Sequence, residues 1–220
     1  MSEELLNALE KFLPPYLVDP SRENLRQTIS KQFPSFNESK DVYSLKGDSR
    51  LLQGDCLDEI PFFIIENNGE KPSPAILYYA GIVLSNSCSL DQSNARLEQS
   101  SINFAQVYEL STYNEFLKQK GLDIQKIENH LKDLKANSIS GIIYLPELRS
   151  GEQNKVVFPE SIVRLDKVTT VPQSILKQYN LDYKPIGDKF FTLSNYGFYV
   201  FLFKLSVHLC RFSEKIDRDQ

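Results

Sequence analysis

The chain of 220 residues carries a formal charge of -4, with 41% hydrophobic and 25% charged residues, a balance that suits one substantial folded core and argues against disorder. The acidic excess excludes a strongly basic nucleic-acid binder and leaves only a local basic patch open. Cys56, Cys88 and Cys210 are too few and too scattered for a disulfide framework, which predicts a reducing, cytoplasmic setting.

The opening stretch MSEELLNALEKFLPPYLV has no basic segment before an apolar run, so it does not read as a signal peptide. Leu5, Leu6, Leu9, Phe12 and Leu13 recur at helical spacing, which predicts a helix over Glu3 to Leu13 that Pro14 and Pro15 stop. Ser21 is placed to cap a second helix, with Leu25, Ile29 and Phe33 on one face and Pro34 at its end. From about Gly54 the pattern turns to strands. CLDEIPFFII reads as an extended segment with Pro61 at a sheet edge, followed by a turn, ENNGEKPSP. AILYYAGIVLS reads as a central strand buried on both sides over part of its length, and SINFAQVYEL follows after a polar loop.

Helical signals return between Thr112 and Asn137, split by Gly121, with Ile124, Ile127, Leu131 and Leu134 as the apolar stripe of the second helix. SISGIIYLPEL, VVFP and SIVRLDKVT then restore short strands joined by polar turns, Ser174 to Tyr179 reads as a helical turn, and a closing helix begins at Tyr196 or Gly197. The 17 residues from Tyr196 to Phe212 are the longest apolar stretch, but Lys204, His208 and Arg211 interrupt them, which favours a core or interface helix over a membrane span. The elements predict an α+β fold: a small bent antiparallel sheet or partly closed β-barrel with flanking and inserted helices. Residues 1–46 form a helical extension, 47–170 the barrel-like unit with its helical insert at 112–137, and 171–220 a segment whose amphipathic helix packs back on the barrel.

QGDC at Gln53 to Cys56 resembles the strand opening of the MazF/PemK-like SH3-type barrel proteins. PAILYYAGIVLSNS is similar to that family's central strand, SINFAQVYEL to the next, and VVFPESIVRLDKV to its closing strands, so the resemblance covers about Gly54 to Val168. It implies an SH3-like barrel of a kind found in metal-independent ribonuclease toxins, often dimeric, and in defence-associated relatives. The family's arginine beside the central strand has no counterpart: the position reads KPSPA, with Lys71 the nearest base. Ser111 or Thr112 would take the place of its serine or threonine, but Glu109 adds negative charge where a cleaved phosphodiester would build up its own.

Cys88, in GIVLSNSCSLDQSN, reads as a small residue packed at a strand end, as a nucleophile, or as a ligand contact. A thiolate would need a placed base, and neither His130 nor His208 stands in a context that puts it beside Cys88. Lys71, Ser111 and Cys88 are therefore weak catalytic candidates. Asp91 and Arg96 flank the same loop as candidate ligand contacts, and Asp55 and Asp58 read as turn-forming residues at the first strand. Cys56, Cys88, His208 and Cys210 make a poor metal set, since His208 and Cys210 point about 200° apart on one helix; no metal or cofactor is expected. Lys204, His208, Arg211 and Lys215 fall on a single helical stripe that either faces solvent or meets anions.

The missing arginine, the acidic balance and the amphipathic ends favour a non-catalytic interaction or regulatory module that binds a protein partner or its own copy. Its setting would be toxin–antitoxin or phage defence, away from membranes. A diverged endoribonuclease with RNA as its ligand is the alternative.

Overall fold

The β-favouring runs between Cys56 and Phe191 form a six-stranded sheet, described in a computed structural model that covers residues 19–44, 50–67, 69, 71–90, 101–150, 154–173 and 189–210. β1 (Cys56–Asn67) and β2 (Pro72–Val83) form a long hairpin, and β3 (Ser101–Glu109) lies beside β2. β4 (Ile142–Leu145) is the edge strand beyond β7 (Ser161–Pro172), which pairs with β3, and β8 (Lys189–Phe191) is the edge strand beyond β1. Every neighbouring pair is antiparallel. β5 (Leu148–Arg149) and β6 (Val156–Phe158) make a separate two-stranded ribbon. The expected helix at Glu3 to Leu13 and the turn at Ser174 to Tyr179 lie outside the described residues.

Two irregularities bend this sheet. The β1–β2 register shifts between Leu57 and Ile60, where Glu59 takes a φ of 52° and its N–H is held by the Asp58 carboxylate at 2.8 Å. A second shift opposes Ala105 and Gln106 of β3 to a widened stretch of β7. Leu57, Ile60, Phe62, Phe104 and Val171 then pack on the inside of the bend, while Cys56, Ile82, Ala105, Ile143 and Val163 face the helices. β7 curls far enough for the Thr169 hydroxyl to donate to the Pro61 carbonyl at 3.0 Å. That is one side-chain bond rather than a ladder, so the sheet is bent but does not close into a barrel.

β3 pairs with β2 only from Gly81 to Val83, and β8 pairs with β1 only at Cys56 and Leu57. Among the described residues no third strand flanks the rest of the hairpin, which projects as a two-stranded ribbon; β2 is thus a central strand buried on both sides over part of its length, as expected, with burial complete at Gly81, Ile82 and Val83. Pro61 does sit on an open edge, where its missing N–H deprives no ladder.

Six helices are described: α1 (Asp19–Gln32), α2 (Ser39–Val42), α3 (Ser87–Leu90), α4 (Leu110–Gln119), α5 (Ile124–Lys135) and α6 (Asn195–Leu209). α1 buries Leu25 and Ile29, worth about 1.5–3 kcal/mol each, and Phe33 just past its end sets its ring 4.9 Å from Phe203 of α6. Ser21 lies inside the first turn of α1 rather than at its cap, because the helix begins at Asp19. In the insert, Asp123 caps α5 by accepting the Lys126 N–H, and Ile127 and Leu134 are buried, whereas Ile124 at the start of the stripe is exposed.

α6 is clasped at its start by the segment after α2. Ser194 caps it by accepting the Gly197 N–H at 3.0 Å and donates its own hydroxyl to the Asp41 carbonyl. The Ser194 N–H donates to Val42 O at 2.8 Å, the Ser44 N–H to Thr192 O at 2.8 Å, and Tyr43 and Leu193 form a β-bridge. Gly197 permits this approach, since a Cβ there would lie 2.3 Å from the Val42 carbonyl oxygen.

Asn137, just past α5 with a φ of 56°, joins four parts of the chain. Its side-chain amide donates to Pro34 O at 3.3 Å, its side-chain oxygen accepts the Tyr144 N–H of β4 at 2.8 Å, and its main-chain carbonyl accepts from Lys204 of α6 at 2.7 Å. Asn137→Ala strands the buried Tyr144 N–H and removes the polar side chain that lets asparagine tolerate left-handed backbone, so it should cost about 2–4 kcal/mol in urea unfolding. Asn137→Gly keeps the backbone relaxed and should fall between that variant and the parent.

Candidate functional site

The weak catalytic candidates are not brought together. Lys71 is exposed at the tip of the β1–β2 hairpin. Gly81 pairs with Gln106, so the end of β3 is level with about Tyr78, and Lys71 lies about 20 Å further along at roughly 3.3 Å per residue. Ser111, exposed at the start of α4, donates to the Glu109 carboxylate at 3.4 Å. Cys88 lies beyond Val83, at the opposite end of β2 from Lys71.

Cys88 also departs from the expectation of a crowded strand end. It is exposed on α3, with its N–H donating to Asn86 Oδ1 at 2.9 Å. The surrounding small polar residues hold the loop: Ser85 Oγ accepts the Asn103 N–H and Ser87 Oγ accepts the Gln53 N–H, each at 2.9 Å, and Gln53 Nε2 donates to Leu84 O at 2.7 Å. Leu90 of the same short helix is buried in the core, but Cys88 itself faces outward, so a larger side chain at position 88 has no packed interior to overfill.

The basic stripe on α6 also turns out differently. Lys204 is 3% exposed, and its ammonium donates to the carbonyls of Asn137 and Ile139 at 2.7 and 2.5 Å. His208, one turn on, is half-buried and faces Gly141, where an added Cβ would sit 3.5 Å from its Nδ1. The helical spacing is therefore real, but it points at the α5–β4 connection, whose Asn137 and Ile139 carbonyls accept from Lys204. Arg211, Lys215, Asp91 and Arg96 lie outside the described residues. Asp55, from QGDC, is buried, and its Oδ2 accepts from the Leu52 N–H at 2.9 Å and from Lys189 Nζ at 2.8 Å. Lys189 donates as well to Arg50 O at 2.9 Å, so this pair fixes the turn before β1 against β8.

Two surfaces were not singled out by the sequence. The first is polar and aromatic, at the junction of β3, β7, α4 and α5. Tyr108 donates to Gln106 Oε1 at 2.6 Å with its ring 5.7 Å from Tyr79, and the Tyr113 hydroxyl lies 3.0 Å from His130 Nε2. Arg164 is near both phenols and is itself held by Asp166 through two bonds at 2.8 and 2.6 Å. Burial raises the pKa of Tyr108 and Tyr113, and the Arg164 hydrogen bond lowers that of Asp166. These groups can donate and accept hydrogen bonds, but the guanidinium charge is largely matched by its own carboxylate.

The second is the outer face of the projecting hairpin. The register opposes Pro61 to Tyr78, Phe63 to Ile76 and Ile65 to Pro74, and alternation puts all six on one face. Phe63 is 67%, Ile65 77%, Ile76 49% and Tyr78 66% exposed. The opposite face, with Ile60 and Phe62, is buried against the inside of the sheet. β-propensity alone marked these residues as strand without telling which side has a neighbour.

Among the described residues no three His, Cys, Asp or Glu side chains gather into a metal site, and no helix is long and apolar enough to cross a membrane. No protein-family model matches the chain, and no curated protein matches it.

Burial lowers the Lys204 pKa to about 8 from its ordinary 10.5. Between those values the unfolded chain binds more protons than the folded one, so this group adds stability as pH rises from about 8 towards 10.5 and penalises folding below that window. The difference in urea midpoint between the parent and Lys204→Met should therefore shift in the parent's favour from pH 7.5 to pH 10; a difference constant with pH would contradict this.

Proposed function

We propose that the chain is a non-catalytic protein-interaction module that docks through the outer face of the β1–β2 hairpin, with an SH3-like, MazF/PemK-related sheet as its scaffold and toxin–antitoxin or phage defence as its setting. The observation that carries the reading is the exposure of Phe63, Ile65, Ile76 and Tyr78 on one contiguous face. Isolated exposed apolar residues are ordinary, but a patch of this kind on a projecting ribbon marks a binding surface. Each such side chain supplies about 1.5–3 kcal/mol when covered, against about 0–1 for an exposed ion pair.

A diverged ribonuclease draws its support from the Tyr113–His130 contact with Arg164 nearby, which offers a base and a cation. Asp166 counters that cation, and the separation of Lys71 from Ser111 leaves the phosphorane without a second donor from the expected pair.

The two readings separate in one experiment on the purified chain and in cells. Single-stranded RNA incubated with chelator should remain uncut, and a photoreactive residue at position 65 should form an adduct with a protein chain that disappears when Tyr78→Asp is added. RNA cleavage abolished by His130→Ala, Lys71→Ala or Ser111→Ala would instead establish the enzyme, and the absence of any protein adduct would refute the docking face.

A further inference from the structure

We infer that the occupant of the hairpin's outer face is a second copy of this chain, an inference that rests on the docking role proposed above. The face carries no charged side chain: its rows are Pro61, Phe63 and Ile65 against Tyr78, Ile76 and Pro74. A molecule with a net charge of -4 repels its own copy over much of its surface, and this ribbon is a place where two copies meet without opposing like charges. The apolar rows run antiparallel and have similar bulk, so the face is suited to an isologous contact in which each row covers the other row of its mate. Two such ribbons pack face to face at about 10 Å with their strands within about 30° of alignment.

The prolines decide between this arrangement and capture of an extended peptide. Beyond Leu57, β1 has no strand on its outer side among the described residues, and before Gly81 the same holds for β2. An added strand would need a row of N–H donors along one of these edges. Pro61 interrupts the first, and Pro72 and Pro74 interrupt the second. Edge pairing is blunted on both sides while the face stays open, which favours packing over strand addition.

Size sets the strength. Phe63 and Tyr78 are two-thirds exposed, and at roughly 150–250 Å² per aromatic side chain they offer about 200–330 Å² between them. With Ile65 and Ile76 the patch reaches about 400–500 Å² per copy, or near 1,000 Å² for the pair, at the low end of specific interfaces. The dimer should accordingly be a concentration-dependent one, with dissociation in the micromolar range, about 8 kcal/mol at 1 μM.

Sedimentation velocity of the full chain from about 1 to 100 μM, a range that brackets the expected dissociation constant, tests this directly. The parent should pass from 25.3 kDa monomer to dimer, whereas Ile65→Asp should stay monomeric, and Tyr78→Ser should need a several-fold higher concentration to dimerise. Circular dichroism and urea midpoints matching the parent's show that the variants remain folded; Ile65 is the safest position because so little of it is packed. A parent that stays monomeric throughout, or a dimer that survives both substitutions, overturns the inference. The adduct formed from position 65 should have twice the chain's mass. An adduct with a different protein overturns self-association while leaving the docking face intact, whereas no protein adduct, together with flotation on phosphatidylcholine–phosphatidylglycerol vesicles, overturns both.

Discussion

Asn137 is the point at which the helices and the sheet are held to one another. The residue ends α5 in left-handed backbone, and from there its amide and carbonyl groups reach the segment after α1, Tyr144 of strand β4 and the middle of α6. Each bond is modest on its own, about 0.5–1.5 kcal/mol, but they are made in a setting where water is excluded and no alternative partner is at hand. Lys204 completes the arrangement by bringing a full charge to the Asn137 and Ile139 carbonyls of the connection that follows α5. Its buried amine carries a desolvation cost that several elements share in offsetting.

That anchoring divides the molecule into a covered part and an uncovered one. Where β2 is flanked by β1 and β3, around Gly81 to Val83, both faces of the sheet have apolar neighbours. Where β3 ends its pairing, the hairpin continues on its own and one face is left to solvent. The bulge at Asp58 and Glu59 stands just at this divide, turning the ribbon relative to the sheet while Thr169 tethers β1 through the Pro61 carbonyl. The same geometry keeps Lys71 away from Ser111 and Cys88, so the projection that exposes the apolar face of the hairpin also disperses the residues that a nuclease reading had gathered.

Periodicity in the sequence was informative about elements and poor about neighbours. Leu25 and Ile29 were legible as a buried face, and the split insert with Gly121 between its helices was legible from the breaker and the stripe, since local spacing and turn chemistry decide both. The bent antiparallel sheet followed from short strands without crossover helices. Lys204 shows the limit: its spacing with His208 defines a stripe, but which way the stripe faces depends on carbonyls more than 60 residues away, Asn137 among them. Ile76 and Tyr78 illustrate the same limit in a strand, because a β-favouring run looks alike whether or not a third strand covers it. β8 escaped notice for another reason: three residues, Lys189 to Phe191, are too few to display a period.

The clasp between the end of α2 and the start of α6 joins residues 153 positions apart, from Asp41 to Ser194. A chain made from its N-terminus forward must therefore hold the Val42 carbonyl in waiting until Ser194 and α6 have left the ribosome. Closing so long a loop is entropically slow, and it comes after the hairpin, whose strands are neighbours in sequence. Synthesis would thus present the hairpin, with its apolar outer face, before α6 exists to close the clasp.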